Sequence, residues 1–103
     1  MKAKVRFKRK DKMNYTILQQ INPTFRVTKE ENIKKELYKT VYSGTIEEED
    51  LNTNQILESI FTKFNISHPE DFKGHSLSMS DIVILDNQAY LCDMIGWKKV
   101  NLI

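Results

Sequence analysis

Residues 53–65 carry the most regular apolar pattern in this chain of 103 residues, and it constrains the fold more than any other feature. The pattern repeats at the spacing that puts side chains on one stripe of an α-helix, with Asn52 or Thr53 as the N-cap. Such a stripe needs an apolar surface to pack against. The stripe consists of Ile56, Leu57, Ile60, Phe61 and Phe64.

The segments around this helix have the alternation and the β-branched or aromatic content of strands. A short second helix is expected at about 29–35, because Thr28 and Glu31 have capping-box spacing. The sequence therefore predicts an α+β fold: an antiparallel β-sheet with a basic N-terminal β-hairpin at 1–21, and the main helix (about 53–65) packed on one face. The predicted strands are 2–8, 13–21, 37–46, 82–85 and 89–100.

Composition indicates one domain over residues 1–103 and an ordinary globular protein, since 40% of the residues are apolar and 29% are charged. No apolar run approaches the roughly 20 residues that span a bilayer, and the first residues lack the apolar stretch of a secretory signal. The single cysteine, Cys92, excludes an internal disulfide and disfavours a structural zinc site. These features predict a cytoplasmic protein with no membrane partner.

Charge is distributed unevenly along the chain. Residues 1–12 hold seven basic residues against one acidic residue, a net charge of +6, so the other 91 residues carry −4. Such a cationic segment can bind phosphate groups or an acidic protein surface, or it can be the solvated side of an edge strand. The predicted nucleic-acid or partner-binding residues are Lys2, Lys4, Arg6, Lys8, Arg9, Lys10 and Lys12.

The stretch "FKGHSLSMSD" (72–81) has the residue types of a Ser/His/Asp hydrolase. On an extended backbone, however, His75 and Ser76 point to opposite faces, and no Gly-x-Ser-x-Gly elbow exposes a serine. The spacing of His68, Glu70, Asp71 and His75 matches no standard metal motif. The sequence therefore predicts no catalytic residue, no metal and no cofactor here, and assigns the stretch to a turn between helix and sheet.

Residues 38–100 resemble the YodL-like domain, which occurs in proteins of plasmids, conjugative elements and phages. The resemblance rests on "IFTKFNISHPEDFKGHSLSMSD" and on a hairpin containing "YLCDMIGW", where Cys92 and Trp97 depart from the usual valine and phenylalanine. It implies a motif-bearing core at 38–100, with residues that are interpreted as structural. These family-motif residues are Phe64, Asn65, His68, Pro69, Phe72, Gly74, His75, Ser76, Ser78, Ser80 and Asp81.

The resemblance also implies a function. We expect a non-enzymatic, anti-CRISPR-like inhibitor that binds Cas9, its guide RNA or both, and that takes no small-molecule substrate. One alternative is a nuclease, or a nuclease cofactor, that shortens guide RNA with His68, Asp71, His75 and Asp81. Another alternative is an inhibitor of an actin-like cytoskeletal protein, which would use apolar and acidic surface and no RNA.

Overall fold

The structure is a computed structural model that describes residues 13–23, 31–47 and 51–103. A 3₁₀ turn at Lys35–Leu37 precedes the second long strand. The elements of the described chain, in order, are β1 (Met13–Gln20), β2 (Asn32–Ile33), β3 (Tyr38–Ile46), α1 (Thr53–Ile66), β4 (Ile82–Leu85), β5 (Gln88–Asp93) and β6 (Gly96–Leu102).

The strands form a single six-stranded sheet in the order β2-β6-β5-β4-β1-β3. All neighbours are antiparallel except β2 and β6, which run parallel, so the sheet is mixed. The prediction of an α+β fold with two helices and an antiparallel sheet is therefore wrong. The described residues form a mainly-β fold with one α-helix, because residues predicted to be helical pair with the last strand instead.

The short helix predicted at about 29–35 is the clearest error. Residues 29 and 30 lie outside the described residues, and from Asn32 the chain enters β2. The Ile33 carbonyl accepts from Ile103 N at 2.9 Å, and Lys35 N donates back to the Ile103 carbonyl at 3.0 Å. Ile33 is buried while Leu37 is 56% exposed, so the two residues do not share the helix face that their spacing suggested.

The return strand predicted at 89–100 is divided into β5 and β6. Asp93 pairs with Gly96 and closes a turn at Met94 and Ile95. Gly96 has φ +85°, a left-handed conformation that glycine adopts readily, at the residue that follows the turn. The strands predicted at 13–21, 37–46 and 82–85 are confirmed as β1, β3 and β4. The strand predicted at 2–8 lies outside the described residues.

Alternation along the strands gives the sheet two apolar faces. Ile17 pairs with Val83, and both belong to the cluster under α1. The next pair, Leu18 with Ile82, belongs to a second cluster on the opposite face. β1 is paired along one side with β3 and along the other with β4, so both of its edges are occupied. This central position lets β1 present side chains deep in the structure.

Helix α1 covers one face of the sheet, as predicted. Asn52 forms a complete capping box: its Oδ1 accepts from Gln55 N at 2.8 Å, and Gln55 Oε1 accepts from Asn52 N at 2.9 Å. Phe64 is fully buried, and its ring meets the rings of Tyr15, Tyr42 and Phe72 edge-on. No helix of the described residues has the length and apolar character that a bilayer crossing requires.

The central position of Phe64 predicts a large destabilisation on truncation. Phe64→Ala should lower the free energy of unfolding by about 3–5 kcal/mol, because it removes a buried ring and leaves a cavity. Ile66→Ala, two residues further along α1 at a site that is 79% exposed, should change it by less than about 1 kcal/mol. Urea denaturation of the two variants checks this. Equal losses would contradict the packing described here.

Candidate functional site

The family-motif residues form the irregular connection from the end of α1 to the start of β4. Phe64 and Phe72 are core residues with ring centroids 4.9 Å apart. The His68 ring lies 5.4 Å from that of Phe72, and its Nδ1 lies 2.9 Å from the carbonyl of Pro69. Phe72 N then donates to the Pro69 carbonyl at 3.1 Å. This half of the motif therefore ends the helix and returns the chain to the core.

Asn65 fixes the second half of the connection to the helix. Its Oδ1 accepts from Leu77 N at 2.6 Å, and its Nδ2 donates to the Leu77 carbonyl at 3.2 Å. Both backbone groups of Leu77 are thus satisfied by one side-chain amide, which suits a residue that is itself buried. The segment 74–81 is held in place without being a strand.

Gln19 of β1 is the centre of the site, and its amide is completely buried. Its Nε2 donates to the His75 carbonyl at 2.9 Å and to Asp81 Oδ2 at 3.0 Å. Its Oε1 accepts from His75 N at 3.1 Å. One side chain therefore satisfies both backbone groups of His75 and one oxygen of Asp81. We call Gln19, His75 and Asp81 the glutamine cluster.

The bonds of Gln19 also assign the tautomer of His75. Nε2 of Gln19 has two hydrogens and both are donated, so its 3.3 Å approach to His75 Nδ1 is a contact rather than a hydrogen bond. Nδ1 lies 2.8 Å from the Ser76 carbonyl, which can only accept. His75 therefore carries its proton on Nδ1, and this nitrogen binds backbone rather than a serine hydroxyl.

Gly74 leaves room for the Gln19 amide. A Cβ added to Gly74 would overlap Gln19 Oε1, the atom that binds His75 N. A side chain at residue 74 would therefore displace the acceptor on which the cluster depends. The glycine of the motif is explained by this close approach, since its φ is not positive.

Asp81 and Ser80 connect the cluster to the sheet. Asp81 Oδ2 accepts a second bond from Ser78 N at 3.0 Å, and the Asp81 carbonyl accepts from Cys92 N at 2.8 Å. Ser80 has φ +81°, and it is held by Ser80 N to the Cys92 carbonyl at 2.9 Å. The Ser80 carbonyl accepts from the Tyr38 hydroxyl at 2.7 Å. Bonds to β3 and β5 thus hold an unfavourable backbone conformation.

Burial changes the acid–base properties of this site. It raises the pKa of Asp81 to about 6 from its usual 3.8, although the bonds from Ser78 N and Gln19 and the charge of His75 oppose the rise. Burial, followed by the nearby Asp81 charge, raises the pKa of the Tyr38 hydroxyl to about 12 and that of the Cys92 thiol to about 11. Cys92 is therefore a protonated thiol at neutral pH, and not a nucleophile.

This geometry accounts for the catalytic residue types in the motif. Ser76 and Ser78 are exposed, whereas Ser80 and Asp81 are buried and form hydrogen bonds with backbone groups. His68 packs on Phe72 while His75 belongs to the glutamine cluster. No three His, Cys, Asp or Glu side chains within residues 13–23, 31–47 and 51–103 come together as a metal site.

Sequence reasoning missed Gln19 and Tyr38 as members of this site. A signal for Gln19 was present, because Tyr15, Ile17 and Gln19 alternate on the core face of β1 and a polar residue at the third position needs a buried partner. The seven basic residues predicted to contact a partner, namely Lys2, Lys4, Arg6, Lys8, Arg9, Lys10 and Lys12, lie outside the described residues.

Comparison with known proteins supports the resemblance and extends it. The family model of the YodL-like domain matches residues 2–102. An uncharacterized protein of Acanthamoeba polyphaga mimivirus is 38% identical over 76 residues, which cover 62% of this chain and 69% of the viral protein. No solved structure matches the chain.

The glutamine cluster predicts that Gln19→Leu is strongly destabilising. The substitution keeps a similar volume but removes both bonds to the part-buried His75 backbone and one of the two donors to the buried Asp81 carboxylate, and a buried group left unsatisfied costs about 1–3 kcal/mol. We expect a loss of at least about 2 kcal/mol in urea denaturation. Ser78→Ala is the control. It keeps the backbone N–H that donates to Asp81, so the free energy of unfolding should fall by less than about 0.5 kcal/mol. A Gln19→Leu variant as stable as the parent would refute the cluster.

The pKa of Asp81 predicts a pH dependence with a definite sign. Because its folded pKa, about 6, lies above its usual 3.8, the fold favours the protonated acid, and stability is lost as pH rises through this window. Asp81→Asn resembles the protonated acid at every pH. The free energy of unfolding of the parent minus that of the variant should therefore decrease from pH 4 to pH 7. A difference that is constant or increases would contradict this assignment.

Proposed function

Because this chain belongs to the YodL-like domain family, we propose that it is a non-enzymatic counter-defence inhibitor that binds Cas9, its guide RNA or both in the bacterial cytosol. The observation that carries the proposal is the concentration of positive charge at one end of the chain, a net +6 in residues 1–12. A guide RNA, or a ribonucleoprotein that displays one, offers the regular phosphates that such a segment binds. The similarity to a viral protein supports an origin on mobile elements.

The bonding of the motif supports binding rather than catalysis. In a catalytic triad a carboxylate binds the Nδ1 proton of the histidine, whereas the Nδ1 proton of His75 is directed at the Ser76 carbonyl. Asp81 accepts from Gln19 and Ser78 N, and no carboxylate–imidazole bond is made through it. His75 and Asp81 are thus engaged in holding the loop to the sheet. We therefore propose that surface residues, rather than the buried residues of the motif, carry the binding function.

Electrostatics favours RNA or a ribonucleoprotein as the target of the basic segment. Each phosphate contact on a single strand adds roughly 0.7 to the slope of log affinity against log salt. Five contacts would lower affinity more than tenfold between 50 and 200 mM salt. The other 91 residues, at −4, would not attract phosphate, so the contribution is confined to one end of the sequence.

The proposal predicts that charge in the basic segment is required for inhibition. Replacing Lys4, Arg6, Lys8, Arg9 and Lys10 with serine should abolish inhibition of DNA cleavage by Cas9 and reduce the salt dependence of binding to the guide complex. An electrophoretic assay of guide RNA, with and without Cas9, provides the binding measurement. Binding that is indifferent to salt, or a variant that inhibits like the parent, would contradict the proposal.

A second set of lysines provides a matched control. Serine at five exposed positions elsewhere removes the same formal charge and should leave inhibition within about twofold of the parent. The same gel separates the alternatives: shortened guide RNA would indicate the nuclease, and no effect on RNA or Cas9 would direct attention to the cytoskeletal target. The control positions are Lys34, Lys35, Lys39, Lys63 and Lys99.

A further inference from the structure

The turn between β5 and β6 exposes two large apolar side chains. Met94 is 76% exposed and Ile95 is 95% exposed, at the positions where two-residue hairpin loops commonly place Asn, Asp or Gly. A single exposed apolar residue needs no explanation, but two adjacent ones at the most projecting point of a hairpin form an unusual surface. We call Met94 and Ile95 the apolar tip.

The apolar tip is held in one conformation by its own turn. Asp93 pairs with Gly96 across the base, and Asp93 Oδ1 accepts from Met94 N at 2.7 Å. Gly96 adopts its positive φ at no steric cost, since nothing lies near the place of a Cβ. A preformed turn loses little conformational entropy on binding, so little of the free energy gained from the tip's apolar contacts would be offset.

Trp97 anchors the tip to the helix layer. Its Nε1 donates to Glu58 Oε2 at 2.8 Å, and its ring meets Phe61 edge-on with centroids 6.2 Å apart. Trp97 also pairs with Cys92, which is buried. The tip therefore projects from a base that is fixed on both the sheet and the helix.

The charges beside the tip indicate the chemistry of its partner. Asp93 and Glu58 stand at its base, and both carboxylates lie close enough to Cys92 to raise the pKa of that thiol. The two lysines of the same hairpin, Lys98 and Lys99, pair with Leu91 and Tyr90 further from the turn. Two carboxylates at the base of an apolar point disfavour RNA and anionic lipid, and they suit an apolar pocket with a basic rim.

We propose that the apolar tip inserts into such a pocket on the protein component of the target, which makes it a second contact besides the basic segment. The inference rests on the proposed function. Aliphatic side chains neither stack on bases nor bind phosphate, so the contact is with protein. A second copy of this chain is a poorer occupant, because two side chains bury much less than the roughly 800 Å² per partner of a stable interface.

The test uses biolayer interferometry against guide RNA, Cas9 and the Cas9–guide complex, with Cas9 proteins from several type II systems. The double variant Met94→Ser/Ile95→Ser should bind the Cas9–guide complex at least tenfold more weakly than the parent, with an unchanged salt slope and unchanged binding to free RNA. Ile66→Ser, at a site of similar exposure on α1, should bind like the parent. Fluorescence of Trp97, the one tryptophan, verifies that the hairpin base is intact.

The outcomes separate the two proposals. A tip variant that binds the Cas9–guide complex as tightly as the parent overturns the inference and leaves the proposed function standing. A parent that binds none of the three probes overturns both. Sedimentation of the free chain addresses the remaining occupant: a parental dimer that the tip variant converts to monomer would identify the tip as a contact between copies, and the inference would fail.

Discussion

The buried amide of Gln19 is the interaction on which the rest of the structure depends. The loop that enters β4 has no strand partner over residues 74–78, so its backbone groups need side chains as partners. Gln19 provides two of these bonds from the middle of the sheet and a third bond to the Asp81 carboxylate, and Asn65 provides two more backbone bonds from the helix. The loop is thereby fixed between the two layers, and Asp81 enters β4 in the register that places Ile82 opposite Leu18.

The local features of the fold were predictable because the chain encodes them within a few residues. Helix α1 follows from five apolar side chains at helical spacing and a capping box, and these features lie within a few residues of one another in the sequence. β2 was not predictable in the same way. The capping-box spacing at residues 28–31 favoured a helix, but pairing with residues 101 and 102 determined the outcome. Contacts separated by about 70 residues leave no periodic signal.

The site was predicted in part for the same reason. The motif lies between helix and sheet, but the prediction that His75 and Ser76 point to opposite faces assumed an extended backbone. The segment is irregular, and Ser80 adopts a positive φ that no alternation pattern indicates. The partner of His75 and Asp81 is 56 to 62 residues away on β1. A polar residue on the core face of a strand was the available clue.

The carboxylate at residue 81 is explained by the two donors that it joins rather than by stability. At neutral pH Asp81 lies above its pKa of about 6, so it is ionised in a buried site and this costs stability. The orientation of the Gln19 amide is fixed by the His75 backbone, whose N–H donates to Oε1 and whose carbonyl accepts from Nε2. An ionised carboxylate can only accept, so Asp81 Oδ2 takes the bond from Gln19 Nε2 and the bond from Ser78 N together. Asp81 thereby joins a donor on β1 to a donor in the loop, and this helps to fix the path by which the chain passes from α1 into β4.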